Sequence, residues 1–122
     1  VTVRNGHARG YTPARTASWE AGAAWLMRSE WGIRAPYEGP VRVVVEAVAA
    51  RPKRLLRKSD PDGRMWRCAK PDADNVLKAV CDALVNAGVL RDDVQAVEVV
   101  ARSRYAARDE GPSVEVVVEV VE

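Results

Sequence analysis

The sequence predicts an α+β fold, a two-layer arrangement in which two helices pack on one face of a mixed β-sheet. Three observations predict it: β-branched runs of strand length, capped segments of helical length between them, and turn pairs such as Asn-Gly and Gly-Pro at their ends. The predicted order is hairpin, helix, strand, helix, strand, strand. A crossover through the second helix would be right-handed if the two strands that it joins are parallel.

The N-terminal quarter predicts a hairpin followed by a helix. Residues 1–4 and 8–11 are extended in pattern and flank Asn5-Gly6-His7, where Asn-Gly supplies the positive φ values of a tight turn. The Thr12-Pro13 pair resembles an N-cap followed by the first helical residue. Apolar residues at helical spacing then predict a helix over about 13–31.

The remaining elements follow from the same signals. Residues 41–48 form a β-branched run that predicts a strand. A second helix is predicted from Asp72 or Asp74 to about residue 87, where Gly88 would stop it. Residues 95–105 and 113–121 predict the last two strands, because both segments have the length of a strand and are either continuously apolar or alternate between apolar and polar residues.

The length and composition limit the class of protein. A chain of 122 residues forms one core, so we expect a single domain over residues 1–122. No run of about 18 apolar residues and no signal-peptide pattern occur, so we expect a cytoplasmic protein with no membrane partner. The chain opens on Val1 rather than Met, so we expect that preceding residues are missing. Cys68 and Cys81 lack zinc-ligand spacing and are expected to be reduced thiols.

Positive charge is concentrated in the connection between the first long strand and the second helix. Residues 51–70, called the basic segment below, carry eight basic and two acidic residues, a net +6, which leaves −4 elsewhere in a chain of formal charge +2. Long connections are uncommon unless they bind something, so we expect this segment to contact DNA phosphates. Six phosphate contacts would give a log-log salt slope near −5. The basic residues are Arg51, Lys53, Arg54, Arg57, Lys58, Arg64, Arg67 and Lys70.

Two alternatives remain open for this segment. It could be a disordered basic loop with no partner. Met65 and Trp66 could stack on or wedge between bases, although such residues more often anchor a loop to the core, which is the interpretation that we favour here.

Carboxylates that follow the basic segment indicate a divalent-metal site. Asp72 and Asp74 both lie at a helix start that needs one cap, so the second adds like-charge repulsion that a cation would relieve. Asp74, Lys78 and Asp82 recur at i, i+4 and form one stripe. Mg²⁺ binds through one or two carboxylates and accepts phosphate oxygens. The alternatives are a solvated helix face with ordinary ion pairs and, for Asp92-Asp93, ordinary turn chemistry.

The stretch from Lys70 to Leu84 and the later Asp92-Asp93-Val94-Gln95 resemble the RusA family of Holliday junction resolvases, encoded by bacteria and their phages. The patterns KPDxDNxxKxxxDAL and DDxQ occur in the family's order and spacing, and the resemblance extends from about residue 7 to the final strand. It implies a homodimeric, Mg²⁺-dependent endonuclease, with Mn²⁺ as a substitute ion, that nicks opposed strands of a four-way junction or other branched DNA in recombination and repair. Family members usually have a further N-terminal strand, which this numbered chain lacks.

The resemblance also assigns roles to individual residues. It implies that Asp72, Asp74 and Asp93 are metal-binding catalytic carboxylates and that Lys78 is the catalytic lysine. Asn75, Asp82 and Asp92 match positions with supporting roles: Asp82 would pair with Lys78 or a basic neighbour, and Asp92 would shape its turn. If Asp92 and Asp93 entered a strand, only one of them would reach the metal.

Two other functional classes remain open at this point. One is a non-catalytic branched-DNA-binding protein that retains the fold. The other is an acidic metal binder without a DNA partner, which leaves the segregation of charge unexplained.

Overall fold

A computed structural model describes the backbone of residues 2–4, 7–10 and 16–122, and the side chains of residues 22–122. Short 3₁₀ turns lie at Lys53–Leu55 and Asp93–Gln95. The helices and strands are β1 (Thr2–Arg4), β2 (His7–Gly10), α1 (Thr16–Trp31), β3 (Val41–Ala49), β4 (Met65–Trp66), α2 (Ala73–Asn86), β5 (Ala96–Tyr105) and β6 (Ser113–Val120).

The strands form one six-stranded mixed sheet in the order β1-β2-β6-β3-β5-β4. Strands β3 and β5 are parallel and are joined through α2, whereas every other neighbouring pair is antiparallel. The α+β class and the mixed sheet are therefore confirmed. The parallel pair brings the end of β3, the basic segment and α2 to the same part of the molecule as β5.

The core lies between the sheet and the two helices. Alternate residues of β3 and β6 point toward the helices, as the two-residue period of a strand requires. Small and flexible side chains of α1 and branched or apolar ones of α2 fill the facing layer. The fully or almost fully buried members are Ala23, Met27, Val41, Val43, Val45, Val80, Ala83, Leu84, Val116 and Val118. Both helices therefore cover the same face of the sheet, as predicted.

Helix α2 ends where the sequence predicted. Gly88 has φ of +79°, in the left-handed region that favours glycine. The Leu84 carbonyl accepts the backbone N–H of Val89 at 3.0 Å, which satisfies a carbonyl of the last turn. No helix in the described ranges is long and apolar enough to cross a membrane.

Two elements differ from the predicted ones, and two predicted features fall outside the described residues. Strand β5 begins at Ala96, because residues 93–95 form a 3₁₀ turn, and β4 is an additional two-residue edge strand in the basic segment. The predicted turn at Asn5-Gly6 and the predicted helix start at Thr12-Pro13 lie outside the residues that the structure describes.

Candidate active site

The start of α2 is built by Asp72. Its Oδ1 accepts the backbone N–H of Asn75 at 3.0 Å, which satisfies one of the free amide groups at the helix N-terminus. Asp74 therefore has no capping task. Its carboxylate lies 3.5 Å from the Lys78 ammonium, one helical turn further on, and both side chains are about 70% exposed, at 72% and 70%. These two groups can thus reach a ligand in solvent.

Arg67 fixes the chain that leads into this helix. Its guanidinium donates to the carbonyls of Ala69 and Pro71, each at 3.1 Å, and of Lys70 at 2.5 Å. The Arg67 backbone N–H donates to the Ser103 carbonyl of β5 at 3.1 Å. Arg67 therefore connects the three consecutive carbonyls before Asp72 to strand β5.

A second acidic turn lies at the other side of α2. Asp92 caps the 3₁₀ turn: its Oδ1 accepts the Val94 N–H at 3.1 Å, and Gln95 Oε1 accepts the Asp92 N–H at 3.0 Å. The Gln95 amide also donates to the carbonyls of Tyr37 and Gly39, both at 2.9 Å. Because Asp92 and Asp93 lie in this turn and not in a strand, the prediction that strand geometry sends them to opposite faces was wrong.

Asp93 is surrounded by negative charge. Its carboxyl hydrogen-bonds to Asp92, and this bond, followed by burial and by the charges of Asp92 and Asp82, raises the pKa of Asp93. The Val94 N–H, together with the same bond, lowers the pKa of Asp92. Carboxyls this close to one another repel when they are ionised, and a bound cation would lower that repulsion.

The acidic residues of this turn line an open pocket of about 390 Å³. Its lining residues are Asp82, Val85, Asn86, Arg91, Asp92 and Asp93. Arg91 directs its guanidinium to Glu38 at 2.7 Å. Asp82 therefore faces the Asp92-Asp93 turn, while Lys78 pairs with Asp74; the predicted Asp82–Lys78 pair is not formed among residues 22–122.

The predicted ligands fall in two groups. Asp72 and Asp74 lie at the start of α2, and Asp93 lies beside Asp82, eight residues and about 12 Å of helix rise beyond Asp74. In the part of the chain with described side chains, no three acidic, cysteine or histidine side chains are grouped closely enough to hold a metal ion. The donors are all carboxylate oxygens, which is the chemistry that hard divalent cations require.

The basic segment is an ordered loop whose backbone is bound by two arginines, one inside the segment and one outside it. Arg51 donates to the carbonyls of Ala106, Leu55, Pro61 and Gly63. Arg108, from outside the segment, donates to the carbonyls of Leu56, Arg57 and Asp60. The loop is therefore held from both sides by arginine contacts to its backbone, so the alternative of a disordered loop does not apply.

Arg64 is also directed inward. It contacts the carboxylates of Glu46, Glu110 and Glu115, with the Glu110 contact at 2.6 Å. Arg51, Arg64 and Arg67 are only partly exposed and make several intramolecular contacts each, and the prediction that they bind phosphates stays a prediction. The exposed basic residues that remain in the segment are Lys53, Arg54, Arg57, Lys58 and Lys70.

Sequence reasoning did not identify the roles of Gln95, Arg67 and Arg108. Asp92 and Gln95 are spaced as a capping box, so that signal was available. The two arginines bind backbone carbonyls across sequence separations of up to 52 residues or turn back on their own loop, and no local pattern encodes such contacts.

Comparison with known proteins places these features in a family. The family model described as Endodeoxyribonuclease RusA matches residues 1–119 of the 122-residue chain. No individual curated protein matches this chain.

Proposed function

Because the chain belongs to the RusA family of endodeoxyribonucleases, we propose that it is a divalent-metal-dependent endonuclease that nicks opposed strands of four-way DNA junctions. The structural observation that carries the proposal is that three carboxylates, those of Asp82, Asp92 and Asp93, line one open pocket, where their like charges repel. A cation would relieve this repulsion. An acidic pocket without a cation would be a poor place for a DNA phosphate.

The proposed ligands are Asp72, Asp74 and Asp93, and Mg²⁺ is the proposed ion, with Mn²⁺ as a substitute. Because Asp93 lies about 12 Å of helix rise beyond Asp74, one ion could contact all three only if the two groups come together on binding. Asp72 has a second carboxylate oxygen beyond its cap bond, and Asp74 is solvent-exposed. When bound, a divalent cation lowers the pKa of its water and neutralises charge on the scissile phosphate. Asp82 and Asp92 would support Asp93 through the charge and the hydrogen bond that already act on it.

Lys78 is the proposed electrostatic partner of the phosphate. Its ammonium now lies 3.5 Å from Asp74 on an exposed helix face, where such a pair contributes little to stability. The lysine is therefore free to donate to a non-bridging oxygen or to the leaving oxygen, and Asn75 lies on the adjacent turn of the same helix.

DNA grip is proposed to come from the five exposed basic residues of the basic segment. If all five contact duplex phosphates, the log-log salt slope of binding would be about −4 to −5. Two coordinated cuts require two active sites, so we propose a homodimer as the working form. The segment also runs directly into the Asp72 end of α2, so phosphates that it binds lie beside the proposed metal ligands.

The test is a cleavage assay on a labelled synthetic four-way junction with Mg²⁺, analysed on denaturing gels. We expect paired nicks from the wild-type protein and a fall in cleavage rate of more than about 100-fold for Asp74→Asn. Loss of a residue that only hydrogen-bonds to a metal ligand lowers activity by about 10- to 100-fold, so a larger fall indicates a direct ligand. Asp109→Asn, a matched change in the exposed turn before β6, should cleave normally.

Two outcomes would reject the proposal: no nicking by the wild-type protein with any divalent ion, or undiminished nicking by Asp74→Asn. Junction binding that persists in a chelator, without products under any condition, would instead support a non-catalytic branched-DNA-binding protein.

A further inference from the structure

Trp66 lies on the edge strand β4, within the basic segment. Its side chain is 65% exposed, and it faces Arg104 of β5 across the antiparallel pair. A tryptophan that anchors a loop to the core buries most of its ring, and Trp66 does not. The anchoring interpretation favoured from the sequence is therefore wrong for this residue.

One face of the Trp66 indole is covered by the side chain of Arg104. The Arg104 guanidinium carbon lies 3.6 Å from the ring centroid, a close cation–π contact. Arg104 itself is only 25% exposed and lies 3.9 Å from the Glu46 carboxylate, so its position is set by the sheet. Because one face of the ring is covered and 65% of the side chain is still exposed, the free area must lie on the outer face and the edges.

The direction of this free face follows from the strand register. Val41, Val43 and Val45 of β3 face the helices, so Val48 points to the opposite side of the sheet, and Arg104 pairs with Val48. Trp66 therefore presents its ring on the face that the helices leave uncovered. A ligand can approach it there without displacing either helix.

The charge around Trp66 indicates the kind of ligand. The residue lies in a segment of net charge +6. Its neighbours Arg64 and Arg67 are directed inward, but two exposed basic residues are close to it: Lys70 follows four positions later, and Arg54 donates to the hydroxyl of Tyr105, which is adjacent to Arg104 in β5. An exposed aromatic ring within positive surroundings is the arrangement that binds unpaired nucleotides, because the ring stacks on a base while the cations bind the backbone. An apolar protein partner would leave that positive charge unneutralised.

We infer that Trp66 is a stacking platform for an unpaired base of branched DNA. The inference rests on the proposed function, since it adds a base-binding position to the same DNA contact. Asp72 follows Trp66 by six positions, which limits the two Cα atoms to about 20 Å apart. A base on Trp66 would therefore lie within a few nucleotides of the proposed scissile phosphate.

The test measures binding by fluorescence anisotropy, in a chelator so that no strand is cut. Three fluorescein-labelled DNAs are compared: a four-way junction with two unpaired thymines at its centre, the same junction fully paired, and a linear duplex. Trp66→Ala should weaken binding of the first DNA by about 5- to 100-fold, the range expected for one lost stacked base. It should leave duplex binding within about twofold of wild type.

Two features separate stacking from other roles of the ring. Because tryptophan carries no charge, Trp66→Ala should leave the log-log salt slope unchanged. Trp66→Phe should retain most of the affinity, whereas Trp66→Leu, which has bulk without a π face, should not. Trp25→Ala is the matched control, since Trp25 is 63% exposed on α1, far from the basic segment in sequence, and should behave as wild type.

A measurement on the unmodified protein covers the case in which a variant does not fold. With 5-iodouracil in place of the unpaired thymines, irradiation should cross-link the wild-type protein at Trp66, located by mass spectrometry. Cross-links found only elsewhere would overturn the inference.

Equal losses on all three DNAs would also overturn it, because Trp66 would then act only by holding its loop. If wild type prefers branched DNA and the Trp66 variants do so equally, stacking fails while the proposed function stands. If wild type binds none of the DNAs, both fail.

Discussion

Arg64 is expected to be the most stabilising side chain of the basic segment. Its guanidinium is shared by Glu46, Glu110 and Glu115, whose side chains are only 19%, 32% and 19% exposed. Its hydrogen bond to Glu110 is the main reason why the pKa of Arg64 is raised. A base with a raised pKa contributes stability at every pH below its unfolded-state value, so the effect is present throughout the neutral range.

The perturbation is Arg64→Met, which keeps an unbranched apolar stem and removes the guanidinium and its charge. Removal of one partner from a buried ion pair costs about 3–5 kcal/mol. The side chains of the cluster are 19–32% exposed and so remain partly in contact with solvent, and we therefore expect a smaller loss, about 2 kcal/mol. Unfolding entropies of about 2.1 cal/mol/K per residue convert this loss to a fall in Tm of about 8 °C for a 122-residue chain.

The assay is urea unfolding followed by circular dichroism, with Tm as a second measure. Arg57→Ala is the control, because the Arg57–Asp60 pair at 3.5 Å has an arginine that is 71% exposed and should contribute less than about 1 kcal/mol. Adding Glu46→Gln to Arg64→Met should restore part of the loss by relieving repulsion. A loss below about 1 kcal/mol, or an equal loss for Arg57→Ala, would refute this account of the cluster.

Two further predictions concern the site. Arg67→Lys keeps the charge but replaces two guanidinium nitrogens, which together reach three carbonyls, with one ammonium nitrogen on a shorter side chain. Junction nicking should therefore fall by about 10- to 100-fold with little change in Tm, and unchanged nicking would show that these contacts do not position Asp72. Burial, with added charge from Asp93 and Asp82, raises the pKa of Cys81, whereas Cys68 is exposed. Iodoacetamide should therefore alkylate Cys68 rapidly and Cys81 slowly in the native protein, and mass spectrometry that finds equal rates would contradict the buried placement of Cys81.

The fold was predictable because local signals and burial agree. The alternation of valines in β3 and β6, the Asp72 cap and the Gly88 stop each require a single local geometry, and the structure has all of them. The sequence predicted a mixed sheet but left the direction of the two strands joined by α2 open, and the structure shows that β3 and β5 are parallel. The short strand β4 did not follow, because two residues at a sheet edge carry too little pattern.

The acidic residues and the lysine of the site could be identified from the sequence, but which of them contact one another could not. The spacing of Asp74, Lys78 and Asp82 allowed two ion pairs on one stripe, and only tertiary contacts decide between them. The structure places Asp82 against the Asp92-Asp93 turn, where a like charge raises the pKa of Asp93, and leaves Lys78 to Asp74. A capping box fixes that turn through Gln95, which also binds the loop before β3.

The division of the arginines explains how a basic segment can be both ordered and available for DNA. Arg51 and Arg108 bind carbonyls along the loop, so the cost of ordering it is met within the protein and not at the moment of binding. Arg67 then joins the end of the loop to β5 and to the residues before Asp72. Because the exposed lysines, Trp66 and the start of α2 are held on one rigid connection, a phosphate or base bound by the segment would have a defined position relative to Asp72 and Asp74.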